Sequence, residues 1–131
     1  MPKILIIDDS ESVLAYLESI LQEASHEVLV ASSGTEALSI LKNQALDLVI
    51  TDIYMPAPDG LEVMRLARQL KLNVPFIVIS SHASPMNMFV PARGLGAQLA
   101  LQKPFSRERL LDAVTAVLDM SMGSIQPPLQ R

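Results

Sequence analysis

The 131-residue chain has no cysteine, which excludes a disulfide framework, thiolate metal ligands and a cysteine nucleophile, and agrees with a reducing compartment. Histidine is scarce, and its two copies, His26 and His82, lack metal-ligand spacing. Acids and bases are interspersed around a net charge of -4 with no basic stripe, so the electrostatic footprint of a nucleic-acid or membrane-surface binder is missing. No apolar run is long enough to span a bilayer, and Met1-Pro2-Lys3 leads into a short strand-like run rather than a signal-peptide core. The expectation is a soluble cytoplasmic protein with no direct nucleic-acid or membrane partner. Neither Gly-x-Gly-x-x-Gly nor Gly-x-x-x-x-Gly-Lys follows any strand-like run, so both common nucleotide cradles are absent.

What is present is apolar and regularly punctuated. Half of the residues are hydrophobic, and the length suits one domain that buries roughly two-thirds of its unfolded surface. Residues 1–120 read as that domain and 121–131, with two adjacent prolines and no sustained period, as a tail or linker stub. Strand-length runs at 3–7, 27–31, 48–51, 76–79 and 98–102 alternate with helical patterns. Ser10 is a candidate N-cap before the face Val13, Leu14, Leu17, Ile20 and Leu21. Ser33-Gly34-Thr35-Glu36 has the form of a capping box ahead of Ala37, Leu38 and Leu41. Asp59-Gly60 opens a third helix with Val63, Ala67 and Leu70 inward, closed off by Asn73 and Pro75. Ser106 caps a last helix with Leu110, Val114, Val117 and Leu118 on one face. Five such alternations predict an α/β fold, a doubly wound (βα)5 three-layer sandwich of the flavodoxin-like type with parallel strand order 2-1-3-4-5.

That order brings the ends of the first, third, fourth and fifth strands together. In open α/β sheets ligands collect at the carboxyl ends of the strands, and here those ends carry Asp8-Asp9, Asp52, Ser80 and Lys103. Singly each has an ordinary reading: Asp52 as a cap for the turn before Met55-Pro56, Asp8-Asp9 as helix-dipole partners, Ser80 as a turn hydroxyl, Lys103 as a solvated lysine. Together they point to one site. Two carboxylates about 4 Å apart repel by roughly 4 kcal/mol at an effective dielectric near 20, so three need a counter-charge or raised pKa values. Mg²⁺ favours all-oxygen ligation and keeps open positions for phosphate oxygens. A carboxylate nucleophile, a metal, a lysine and a hydroxyl around one point make a phosphoryl-transfer site.

At these residues the chain resembles the receiver domain of two-component response regulators, over about residues 3 to 119. Asp8-Asp9 resembles the family's acidic pair, Asp52 in Asp-x-x-Met-Pro its phosphorylated aspartate, and Asp59-Gly60 its following turn. Ser80 resembles its Ser/Thr switch position, and Lys103-Pro104-Phe105 its lysine with a usually cis proline. The resemblance implies that Asp52 accepts a phosphoryl group from a phosphohistidine on a sensor histidine kinase or histidine phosphotransfer protein. Asp9, Asp52 and the backbone carbonyl of Tyr54 would hold Mg²⁺, with Asp8 acting largely through water. Lys103 would contact the phosphoryl oxygens, and Ser80 would move toward them to carry the signal to a second receiver copy or a downstream output protein. It further implies self-dephosphorylation, which makes the domain a slow catalyst and a switch rather than a metabolic enzyme.

The chain departs from the pattern in two places. Ala100 stands where the family commonly carries an aromatic lever, and a methyl group has little contact area to redistribute. Between the fourth and fifth strands Ser84-Pro85 starts a helix well, yet Pro91 falls inside it, with Gly94 and Gly96 beyond, so a helix over 85–93 is expected to be short, kinked or displaced. Met86, Met88, Phe89 and Val90 make the stretch apolar, for packing on the sheet or for a partner. Tyr54 and His82 lie where receiver side chains tune water access, and either also reads as a plain rim residue. Two other functions fit part of the pattern. One is a phosphorylation-independent interaction module, motivated by Ala100 and the proline-broken helix. The other is a Mg²⁺-dependent phosphohydrolase, which Asp52-Ile53-Tyr54 serves poorly because it lacks a second acid two residues on. A stand-alone relay receiver and a piece of a larger regulator or hybrid kinase read alike in this sequence.

Overall fold

The computed structural model describes residues 1–80 and 93–121. Five strands, β1 (Lys3–Ile7), β2 (Glu27–Ala31), β3 (Leu48–Asp52), β4 (Phe76–Ser80) and β5 (Ala97–Gln102), form one parallel sheet in the order β2-β1-β3-β4-β5. The described helices are α1 (Glu11–Glu23), α2 (Gly34–Asn43), α3 (Gly60–Gln69) and α4 (Arg107–Ser121). This is the predicted α/β topology. β3 and β4 are buried along their whole length, as their unbroken apolar runs require of strands covered on both faces.

Alternate residues of the central strands feed two cores. Ile4, Ile6, Ile50, Ile77 and Ile79 meet Leu14, Leu17 and Leu21 of α1 and Leu110, Val114 and Val117 of α4. Leu5, Ile7, Val49, Phe76 and Val78 meet Ala37 and Leu41 of α2 and Val63, Met64 and Ala67 of α3. The sheet is thereby fixed between two helical layers, and residues at strand ends cannot slide without disturbing both cores.

Capping follows the sequence signals closely. Ser10, Ser33 and Asp59 accept hydrogen bonds from the backbone N–H groups of Val13, Glu36 and Glu62, and Ser106 Oγ accepts one from Arg109 N–H. Glu36 reaches back one residue further than a capping box demands, to the N–H of Ser32 at 2.8 Å.

The third helix departs from expectation. It ends at Gln69, and Leu70, read as core-facing, is 45% exposed, while Met64 takes the inward position. Termination comes from Lys71 in the left-handed conformation (φ 62), with Lys71 N–H on the Arg68 carbonyl and Leu72 N–H on that of Ala67. The end of α1 is built the same way around Ser25 (φ 71). These are Schellman motifs formed without the usual glycine.

Arg68 then ties three segments together. Its guanidinium donates to the carbonyls of Leu72, Val74 and Leu95, each at 2.8 Å, which fixes the entrances of β4 and β5. The expected irregular helix over 85–93 falls largely outside the described residues, as does His82. Among the described residues no helix is long and apolar enough to cross a membrane.

Candidate functional site

Strand order places the ends of β1, β3, β4 and β5 at one edge, and their terminal residues make a pocket. Asp8 follows β1 and is fully buried; its backbone N–H donates to the Ala31 carbonyl and its Oδ1 accepts from Ser10 N–H at 2.9 Å. Asp52 ends β3 at 6% exposure, and its Oδ1 accepts from Tyr54 N–H at 3.1 Å. Ser80 ends β4 and is buried, and its carbonyl accepts from Lys103 N–H at 2.7 Å. Lys103 leaves β5 across a cis peptide to Pro104.

From there the Lys103 ammonium donates to Asp8 Oδ2 at 2.8 Å and to Asp52 Oδ2 at 3.3 Å. Asp9 is exposed, yet one oxygen from each of Asp8, Asp9 and Asp52 lies within 4.8 Å of the others. Tyr54 is 39% exposed at the rim. Ala100 is half-buried in β5 opposite Val78. An apolar groove of about 360 Å³, lined by Val13, Tyr16, Pro104 and Phe105, runs beside Lys103.

Three carboxylates face one ammonium, a formal excess of two negative charges that a divalent cation cancels. The donor set fits such an ion: all oxygens, clustered, with one member open to solvent. The same imbalance governs protonation. Burial, reinforced by the neighbouring Asp8 carboxylate, lifts the Asp52 carboxyl above its ordinary range, and Lys103 only partly offsets this. Burial pulls the Lys103 ammonium the other way, but its hydrogen bonds and ion pairs with Asp8 and Asp52 outweigh that, and its pKa is raised.

A carboxylic acid whose folded pKa exceeds its unfolded value binds its proton more tightly when folded, so at neutral pH its ionised form costs stability. Asp52→Asn is therefore expected to raise the melting temperature of the metal-free protein by a few degrees. With Mg²⁺ bound at this cluster, the same substitution is expected to remove the stabilisation the ion gives. Equal or lower melting of the variant in a metal chelator, measured by calorimetry, contradicts this.

The chain has counterparts among known proteins. The family model for the response regulator receiver domain matches residues 4–115. The chain belongs to the response regulator receiver domain family. As a receiver it is 34% identical over 119 residues to the alkaline phosphatase synthesis transcriptional regulatory protein PhoP of Bacillus subtilis, covering 91% of this chain and 49% of that protein. It is 28% identical to the sporulation initiation phosphotransferase F of the same organism, covering 90% of this chain and 94% of that one. Among solved structures, a CheY-like receiver domain protein from Methanospirillum hungatei JF-1 aligns with a TM-score of 0.86 at 29% identity, covering 93% of this receiver and 97% of that chain. The receiver thus spans about half the length of PhoP and nearly all of the phosphotransferase. Its cluster of Asp8, Asp9 and Asp52 is typical of the magnesium site of receivers.

The fold brings together Asp8, Asp9, Asp52 and Lys103, with Ser80 one residue beyond the strand position paired with Asp52. The close approaches of two glycines that shape this edge have no signal in the sequence. Gly34 meets Pro58, and Gly60 meets the carbonyl of Asp52, at distances no side chain tolerates. The glycines were visible in sequence, but contacts between residues far apart in the chain have no local pattern.

Proposed function

We propose that this receiver accepts a phosphoryl group on Asp52 from a phosphohistidine on a sensor histidine kinase or a histidine phosphotransfer protein. The observation that carries the reading is the buried Asp52 carboxylate, 3.3 Å from the Lys103 ammonium and clustered with Asp8 and Asp9. A carboxylate oxygen of Asp52 attacks phosphorus, the phosphorus–nitrogen bond breaks, and the imidazole leaves with the bond's electron pair. Lys103 offsets the negative charge of the transferred group, and the Ser80 hydroxyl forms a hydrogen bond to it that starts the conformational change. Asp9, Asp52 and the Tyr54 carbonyl would hold Mg²⁺, and Asp8 would act on it through water. The ion, when bound, supplies further charge neutralisation and orients the phosphoryl oxygens. Because Ala100 offers no ring to rotate, Ser80 passes its movement on through another route.

Incubation with Mg²⁺ and acetyl phosphate or phosphoramidate, followed by intact-mass measurement, tests this. One added phosphoryl group that Asp52→Asn abolishes is the expected result. No adduct favours the phosphorylation-independent interaction module, and multiple turnover of diverse phosphate esters favours a hydrolase. Tyr54, exposed two residues after the acceptor, shields the acyl phosphate from water. Tyr54→Ala is expected to shorten the phosphoryl lifetime several-fold, read as decay of the mass adduct after acetyl phosphate is removed. An unchanged or longer lifetime counts against that role.

A further inference from the structure

The loop of residues 53–59 carries Tyr54, and its flank is pressed against the start of α2. A Cβ on Gly34 would lie 2.1 Å from the Pro58 carbonyl oxygen, 2.7 Å from Pro58 Cγ and 3.0 Å from the Pro58 carbonyl carbon. The two sides of this contact are unequally held. α2 is anchored by Ser33 and Glu36 at its cap and by buried Ala37 and Leu41. The loop is largely exposed at Tyr54, Pro56 and Ala57. The loop is fixed at its ends by buried Ile53 and by the α3 cap Asp59, so an added atom at position 34 is taken up within residues 54–58 rather than by the helix.

We propose that Gly34 is a positioning residue for the metal site: by letting Pro58 seat directly on the α2 backbone, it sets where the Tyr54 carbonyl stands relative to Asp9 and Asp52. This rests on the magnesium site proposed above. Real Cβ contacts essentially never fall below 3.0 Å, so an alanine at 34 pushes the loop by about 1 Å. Mg²⁺ demands near-ideal octahedral geometry with ligands at ~2.1 Å, and a carbonyl displaced that far no longer ligates well. β3, buried along its length, keeps Asp52 in place, so the loop ligand is the one that moves.

The test is calorimetric titration of Mg²⁺ into the native chain, Gly34→Ala and Leu41→Ala. Leu41→Ala opens a cavity under the same helix without adding an atom at the Pro58 contact, and separates general loosening from positioning. Gly34→Ala is expected to weaken Mg²⁺ binding about tenfold or more, while Leu41→Ala binds as the native chain does although it melts at a lower temperature. Native affinity in Gly34→Ala, or equal weakening in both variants, overturns the role of Gly34 and leaves the metal site standing. A native chain that binds no Mg²⁺ overturns the metal site and this proposal with it. If Gly34→Ala does not fold, backbone amide shifts of the native chain give the readout. The Gly34 amide is expected to move along the same Mg²⁺ isotherm as Tyr54, and a static Gly34 amide refutes the coupling.

Discussion

Lys103→Ala is expected to slow phosphorylation of Asp52 by about 10²-fold or more at saturating Mg²⁺ and acetyl phosphate. The ammonium sits 2.8 Å from Asp8 Oδ2 and 3.3 Å from Asp52 Oδ2, where in the proposed reaction it would meet the negative charge of the incoming phosphoryl oxygens. A donor placed at such a point in a water-poor pocket contributes far more than a surface lysine, for which ion pairing is worth ~0–1 kcal/mol. Removing it also leaves two nearly buried carboxylates facing one another. Breaking a buried pair of this kind costs ~3–5 kcal/mol, and because Lys103 retains some exposure the lower end of that range applies here. Added Mg²⁺ recovers part of this loss, since the ion replaces the missing positive charge, but it does not restore the rate. Lys103→Arg is not a rescue: a planar fork on a longer stem cannot place one point charge between two carboxylates. Timed intact-mass measurement gives the rate and calorimetry the stability. A rate within about threefold of native assigns Lys103 to structure alone.

Gly60→Ala is expected to be the most damaging single-methyl change at the site. A Cβ there would lie 2.3 Å from the Asp52 carbonyl oxygen, 3.0 Å from Ile53 Cα and 3.1 Å from the Asp52 carbonyl carbon, all backbone atoms. That carbonyl oxygen also accepts the Thr51 hydroxyl at 2.9 Å. Neither neighbour can step aside, because β3 is paired on both edges and α3 is held by the Asp59 cap and by buried Val63, Met64 and Ala67. Alanine's better helix propensity returns at most ~1 kcal/mol, whereas overpacking against fixed backbone costs ~1–3 kcal/mol or more. A net loss near 2 kcal/mol lowers the melting temperature by about 7 °C in a domain of this size. Phosphorylation is expected to fall as well, because the carbonyl that must move belongs to Asp52, the proposed acceptor. A variant that melts at or above the native temperature refutes the close approach.

Gly34 and Gly60 also mark where sequence reading stops. Strand order, the two-faced burial of β3 and β4, and the convergence of Asp8, Asp9, Asp52 and Lys103 all follow from apolar runs and the residues that end them. Those signals are local, and doubly wound topology turns them into a three-dimensional site with few alternatives. The helix stops were less visible. Ser25 and Lys71 adopt the left-handed conformation that usually signals itself as glycine, so the sequence runs α3 on past its true end and places Leu70 in a core it does not reach. The Arg68 clamp spans 27 residues to Leu95, and an arginine in a helix reads as solvated until its carbonyl partners are seen. The Gly34–Pro58 contact likewise depends on tertiary approach. What can be read locally is the chemistry of the site; what holds it in register is long-range.

Mg²⁺-dependent phosphorylation of Asp52 has a direct chemical readout. Acyl phosphates are reduced by borohydride, which converts a phosphorylated aspartate into homoserine. Treating the protein with acetyl phosphate and Mg²⁺, reducing, digesting and sequencing the peptides by mass spectrometry locates the group. Homoserine at position 52 alone, and none when EDTA replaces Mg²⁺, is the predicted result. Homoserine at position 8, 9 or 59, at no position, or at 52 regardless of EDTA, contradicts it.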